Sequence, residues 1–196
     1  MLFARSPRPL PEFSYRSAQL TPIDRSRPQA QPAGMNLPIP EPGYKALRRG
    51  RWSEPQRIYL VTAVCIRHRR IFASEHCAQI AAQAIADPEK WLGARLLCWV
   101  LMPDHWHGLI ELHSDIRLQS VVASLKGRAA RAVNRALHRK GLVWMPGFHD
   151  HALREDEDVL QAARYIVANP KRAGLVQRVS DYPHWDAVWL EQKRRG

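Results

Sequence analysis

The chain has 196 residues, 45% of them hydrophobic, enough to enclose one core with a stretch left over, so one catalytic domain is expected. Thirty Lys and Arg against 18 Asp and Glu give a net charge of +12, a surplus that draws phosphate polyanions and makes nucleic acid the first partner to consider. Cys65, Cys77 and Cys98 are odd in number and too widely spaced for a CxxC knuckle, which excludes a full disulfide framework; no window approaches the roughly 20 apolar residues of a membrane helix, so a soluble cytoplasmic protein is expected, nucleoid-associated when bound to DNA.

From Met1 to about Gly50 prolines recur without any sustained apolar period, as in a disordered arm that cannot offset its ordering entropy; Met35 within it is an alternative start. Arg48, Arg49 and Arg51 at its end can lie beside DNA or stay solvated. A single domain is then expected over 51–190, with a basic tail at 191–196. Arg57 to Arg67 is β-branched and aromatic without breakers, which predicts a buried strand. Ser74 stands at an N-cap position, and the pattern after it predicts a helix from Glu75 to Ala86, stopped by Asp87-Pro88. Arg95–Leu101 and His105–His113 read as two strands of an antiparallel hairpin broken by Pro103-Asp104.

No acidic residue falls between Asp115 and Asp150. Val122, Leu125, Ala129 and Val133 recur at helical spacing there, and Arg128, Arg131, Arg135 and Arg139 occupy another face, so an amphipathic helix with a cationic side is predicted up to Gly141. The arginines can neutralise successive phosphates, and Trp144 can either stack an unpaired base or pack in the core. Leu142–Leu153 reads as an extended or looped return, and Glu155–Asn169 as a second amphipathic helix, acidic at its start and closed by Pro170.

Two histidine pairs can do chemistry. His105 and His107, two apart on a predicted strand, share one face while Trp106 turns to the other, so both imidazoles can converge on a metal. His149 and His151 have the same spacing and pass the same test, and spacing does not choose between the pairs. Tyr165 and Asn169 are four apart and share a helix face. They can be a phenolic nucleophile and a carbonyl ligand, or simply a packed ring and a helix-terminal residue before Pro170. No GxxxxGK[ST] loop is present, and Glu155–Asp158 sits where a helix N-terminus favours negative charge.

The segments MPDHWHGLIEL, SLKGRAARAVNRAL and RYIVANPKRAGLV, in that order, resemble the single-tyrosine HUH transposases, and the REP-associated tyrosine transposases in particular, over about Arg51 to Trp189. The resemblance implies an α+β, ferredoxin/RRM-like HUH endonuclease fold: an antiparallel sheet with helices packed on it and the tyrosine helix across the metal edge. It also implies that His105 and His107, not His149 and His151, hold Mg²⁺ or Mn²⁺ with Asn169 as third ligand, and that Tyr165 is the nucleophile. The substrate it implies is single-stranded DNA folded into REP hairpins, bound through Arg128, Arg131, Arg135, Lys171 and Arg172 and cut through a 5′-phosphotyrosyl intermediate. No nucleotide cofactor and no membrane are expected, and the chain would act as a monomer or homodimer. Two rival functions are a hairpin-binding protein of the same fold without catalysis, and a metal-dependent phosphodiesterase that uses water.

Overall fold

The computed structural model describes residues 56–113, 115–154 and 158–189; the proline-rich arm, the basic tail and the acidic run at 155–157 lie outside the described residues. Three strands form where the apolar runs predict them, β1 (Ile58–Val64), β2 (Ala94–Leu101) and β3 (His105–Leu112), joined by the two-residue turn Pro103-Asp104 in a β2–β3 hairpin. Two short strands, β4 (His149–Ala152) and β5 (Trp185–Ala187), complete an antiparallel sheet of order β4-β1-β3-β2-β5. β3 therefore lies at its centre. β5 was not anticipated from the sequence, since three residues are too few to carry a period.

Period-two alternation sends the strand residues to two unlike faces. Tyr59, Val61 and Ala63 of β1, Trp99 and Leu101 of β2, and Trp106, Ile110 and Leu112 of β3 join one buried core with the apolar sides of α1 (Glu75–Ala86) and α2 (Leu118–Ala136). At the centre of this face Trp106 is fully buried and lies across Gly108, where any Cβ would run into the indole. The glycine after the second histidine is thus demanded by the tryptophan between them. On the other face α3 (Val159–Val167) packs Ala162, Ala163 and Ile166 against β2, β3 and β5.

Both long helices are pinned by cations. Arg128 of α2 donates from Nε to the Ala84 carbonyl (2.7 Å) and from its terminal nitrogens to those of Ile85 (3.3 Å) and Lys90 (3.2 Å), and its guanidinium stacks on Trp91. It thereby satisfies orphan carbonyls at the C-terminus of α1. Lys126 donates to the Met145 carbonyl (2.7 Å) and to that of Gly147, fastening the return segment to α2.

Two helix ends differ from the sequence expectation. α2 stops at Ala136, before Gly141, because His138 takes the left-handed conformation (φ 47°) and the amides of His138 and Arg139 bond back to the carbonyls of Arg135 and Asn134. This is a Schellman ending with histidine in the place that usually holds glycine. The tyrosine helix begins at an Asp158 N-cap, whose carboxylate accepts from Leu160 and Gln161, and ends at Val167. Pro170 does not close it. Pro170 sits in the first turn of a short α4 (Asn169–Arg172), where the missing N–H costs nothing. Among the described residues no helix is long and apolar enough to cross a membrane.

Candidate active site

His105 pairs with Val64 and His107 with Thr62, so both imidazoles stand on the sheet face opposite Trp106. Their ring centroids are 4.6 Å apart, edge to face. Each ring is anchored through Nδ1, His105 to the Asp104 carboxylate at 2.6 Å and His107 to Thr62 Oγ1 at 2.7 Å. The hydrogen bond from His105 holds the Asp104 carboxyl below its ordinary range, with the charges of His105 and His68 adding and burial opposing. An ionised carboxylate only accepts, so the hydrogen between the two groups is carried by His105 Nδ1. Burial, with the nearby charges of His105 and Arg172, pushes His107 down to about 3 against the opposing effect of Asp104. His107 is therefore neutral at physiological pH, with Thr62 Oγ1 as the hydrogen-bond partner of its Nδ1.

Asp104 and Thr62 are functional candidates that the sequence reading missed. The signals were present: a carboxylate immediately before the first histidine, and one hydroxyl inside the apolar run Ile58–Val64. Metal-binding histidines ordinarily have such an outer partner on the second ring nitrogen.

Arg172 gathers the opposing side of the site. Its guanidinium lies 3.6 Å from the centre of the Tyr165 ring, donates to the Tyr165 carbonyl (3.2 Å) and to Asn169 Oδ1 (3.0 Å), and is near enough to His107 to depress its pKa. Tyr165 and Asn169 are both half-buried. Asn169 Nδ2 is buried and makes no hydrogen bond, so this amide is left partly unsatisfied. Lys171 is exposed beside it.

His149 is also level with Thr62, on its other side, and His151 is level with Leu60. The second histidine pair thus shares the face of the first but stands two strand spacings away, roughly 10 Å, and runs toward the far end of the sheet. Of the predicted phosphate contacts, Arg131 and Arg135 are exposed. Arg128 is not available for that role, because its donors cap α1. Trp144 is buried against Phe72, 5.1 Å between ring centres, and belongs to the core. Tyr182 is structural as well: its hydroxyl donates to the Leu101 carbonyl at 2.7 Å, and burial pushes its pKa up to about 12.

Among the described residues no three His, Cys, Asp or Glu side chains stand close enough to hold a metal. Two imidazoles and the Asn169 amide are a different donor set, one that would hold a divalent cation without selecting between borderline ions, which imidazole favours, and hard ones, which the carbonyl oxygen favours.

An antiparallel sheet with a two-histidine strand at its centre and a tyrosine helix on the same face has the α+β architecture of the HUH transposases. The chain belongs to the IS200-like transposase family, whose model, described as "Transposase IS200 like", matches residues 55–169. It is 29% identical over 139 residues to the REP-associated tyrosine transposase of Escherichia coli K12, covering 67% of this chain and 80% of that protein. It is 31% identical over 94 residues to a candidate REP-associated tyrosine transposase of Haemophilus influenzae, covering 43% of this chain and 53%, about half, of that protein. A solved REP-associated tyrosine transposase bound to a REP hairpin superposes with a TM-score of 0.56 at 25% identity, over 69% of this chain and 79% of that one.

Proposed function

We propose that the protein is an endonuclease and strand transferase for single-stranded DNA folded into REP-type palindromic hairpins, with Tyr165 as nucleophile and with His105, His107 and Asn169 holding Mg²⁺ or Mn²⁺. The observation that carries this reading is the anchoring of both imidazoles through Nδ1 on one sheet face, near Arg172, which itself contacts Tyr165 and Asn169; with the proton of each ring on Nδ1, Nε2 is the atom that would ligate. The hairpin bound to the solved relative supports the choice of substrate.

Neutral ligands leave nearly the full charge of a bound divalent ion available to polarise the scissile phosphate. Tyr165 gives up its phenolic proton to solvent and its oxygen bonds to phosphorus, while the bond from phosphorus to the 3′ oxygen breaks and that oxygen takes a proton. The product is a 5′-phosphotyrosyl ester and a free 3′-OH. The same or another 3′-OH then attacks the ester, expels the tyrosine oxygen and rejoins the strand. One phosphodiester is exchanged for another, so no nucleotide is consumed. Arg172, lying over the Tyr165 ring, is where a phosphate brought to that hydroxyl meets a positive charge.

The test is incubation of the protein with end-labelled hairpins from palindromic repeats flanking its gene, with Mg²⁺ or Mn²⁺, followed by a denaturing gel. A covalent protein–DNA band that maps to Tyr165 and vanishes in Tyr165→Phe is the expected result. Cleavage that persists in Tyr165→Phe without an adduct identifies water as nucleophile, and binding without any cleavage identifies a hairpin-recognition protein.

A further inference from the structure

Beyond β1 the chain turns sharply through Arg67 and His68, both left-handed with φ of 52° and 53°. Consecutive non-glycine residues in that region cost roughly 1 kcal/mol or more each, and such strain concentrates at working surfaces. The turn exposes Arg67, His68, Arg69 and Arg70 in succession. Opposite it, the Schellman ending of α2 presents Arg139 and Lys140. The two loops enclose a pocket of about 330 Å³ with Arg67, Arg69, Arg139 and Lys140 around it and Ile66 and Leu142 as its apolar wall. A second pocket of about 330 Å³ shares Arg69 and Arg139 and adds Arg70. No acidic side chain lines either. Among the described residues, Arg67, Arg69, Arg70 and Lys140 have no carboxylate partner, so folding gathers like charges that repel one another until an anion arrives.

The place of this pocket is fixed relative to the histidines. The Cys65 amide donates to the Asp104 carbonyl (2.8 Å) and the Phe72 amide to that of Pro103 (2.9 Å), so the basic turn is bonded at both ends to the turn that carries His105. Its other wall is held by the Ile66 amide donating to Val143 (2.8 Å). A pocket of this size has room for a small ligand or a single nucleotide, and Leu142, 69% exposed, offers a base an apolar surface beside the cations.

We infer that the double pocket between residues 66–70 and 139–142, bonded through its basic turn to the turn that carries His105, binds the phosphates of unpaired DNA flanking the hairpin. This rests on the strand-transferase reading for the identity of that DNA. Pocket binding itself is measured without cleavage.

The experiment compares Arg69→Gln/Lys140→Gln with Lys90→Gln/Arg95→Gln, a pair that removes the same charge at the opposite end of the sheet. Fluorescence anisotropy is read with a labelled oligo(dT) of about ten nucleotides, a typical single-strand site size, and with a blunt palindrome hairpin. The pocket pair should weaken oligo(dT) binding roughly 25-fold at 0.1 M salt and lower the slope of log K against log salt by about 1.4, two phosphate contacts at about 0.7 each. Hairpin affinity should stay within about twofold, the distal pair should leave both probes unchanged, and thermal melts should match the wild type. If the pocket pair melts early, the single variant Lys140→Gln is read instead, with a slope change of about 0.7. Equal losses from both pairs, an unchanged oligo(dT) slope, or equal loss of both probes in the pocket pair overturns the inference. Loss of oligo(dT) binding together with a wild type that forms no Tyr165 adduct keeps the pocket and discards strand transfer; the adduct with no pocket effect does the reverse.

Discussion

The two faces of the sheet take alternate residues of one strand and use them in opposite ways. Trp106, Ile110 and Leu112 are sealed under α1 and α2, whereas His105 and His107, on either side of Trp106, face the site with their Nδ1 atoms bonded to Asp104 and Thr62. Apolar contact fixes the first face and hydrogen-bond direction the second, so stability and chemistry are separable by a shift of one residue. They meet at Gly108, whose missing Cβ leaves the space that the Trp106 indole occupies beside His107 in the same strand.

The most severe break is on the site face. His107→Ala should reduce cleavage by at least about 10³-fold while leaving the melting transition close to that of the wild type, and His149→Ala should retain cleavage; single-turnover assays beside thermal melts check both. Equal losses from His107→Ala and His149→Ala would move the metal toward β4. On the core face Trp106→Ala should cost about 3 to 5 kcal/mol by denaturant unfolding, and activity should fall only as the folded fraction falls. Asp104→Asn sharpens the contrast further: the amide can donate to His105 and favour the wrong tautomer, so divalent-ion affinity should drop on the order of 10- to 100-fold with little change in stability. Titration of Mn²⁺ against cleavage rate reads it. The smallest effect separates the arginines of α2. Arg128→Ala should lower stability by about 2 kcal/mol and leave the salt dependence of DNA binding alone, whereas Arg131→Ala and Arg135→Ala should each flatten that slope by about 0.7 with no loss of stability.

The three long strands, the hairpin turn and α1 were legible because each rests on local pattern: β-branched runs, Pro103-Asp104, and a helix between Ser74 and Asp87-Pro88. The end of α2 was not, because His138 occupies a left-handed position that a rule built on glycine assigns to Gly141. The break before α4 escaped for a related reason, since a proline can begin a turn as well as end one. In the site, the shared face of His105 and His107 follows from period two, but the same period serves His149 and His151. What the period cannot show is the tertiary setting of the first pair: Asp104 and Thr62 hydrogen-bonded to its rings and Arg172 close to His107. Arg128 shows the converse limit, since helical spacing aligned it with Arg131 and Arg135 while the neighbouring helix end claimed it.

The central position of β3 also sets a timescale. Flanked by β1 and β2, its backbone amides are bonded to one neighbour or the other along most of its length, so exchange with solvent deuterium there requires opening of the whole sheet. α4 is a single turn, and α3 rests on three small or aliphatic side chains, Ala162, Ala163 and Ile166. Mass-resolved exchange should accordingly find the histidine half of the site among the slowest amides of the protein and the tyrosine half among the faster ones, a fixed anvil beneath a hammer that can lift.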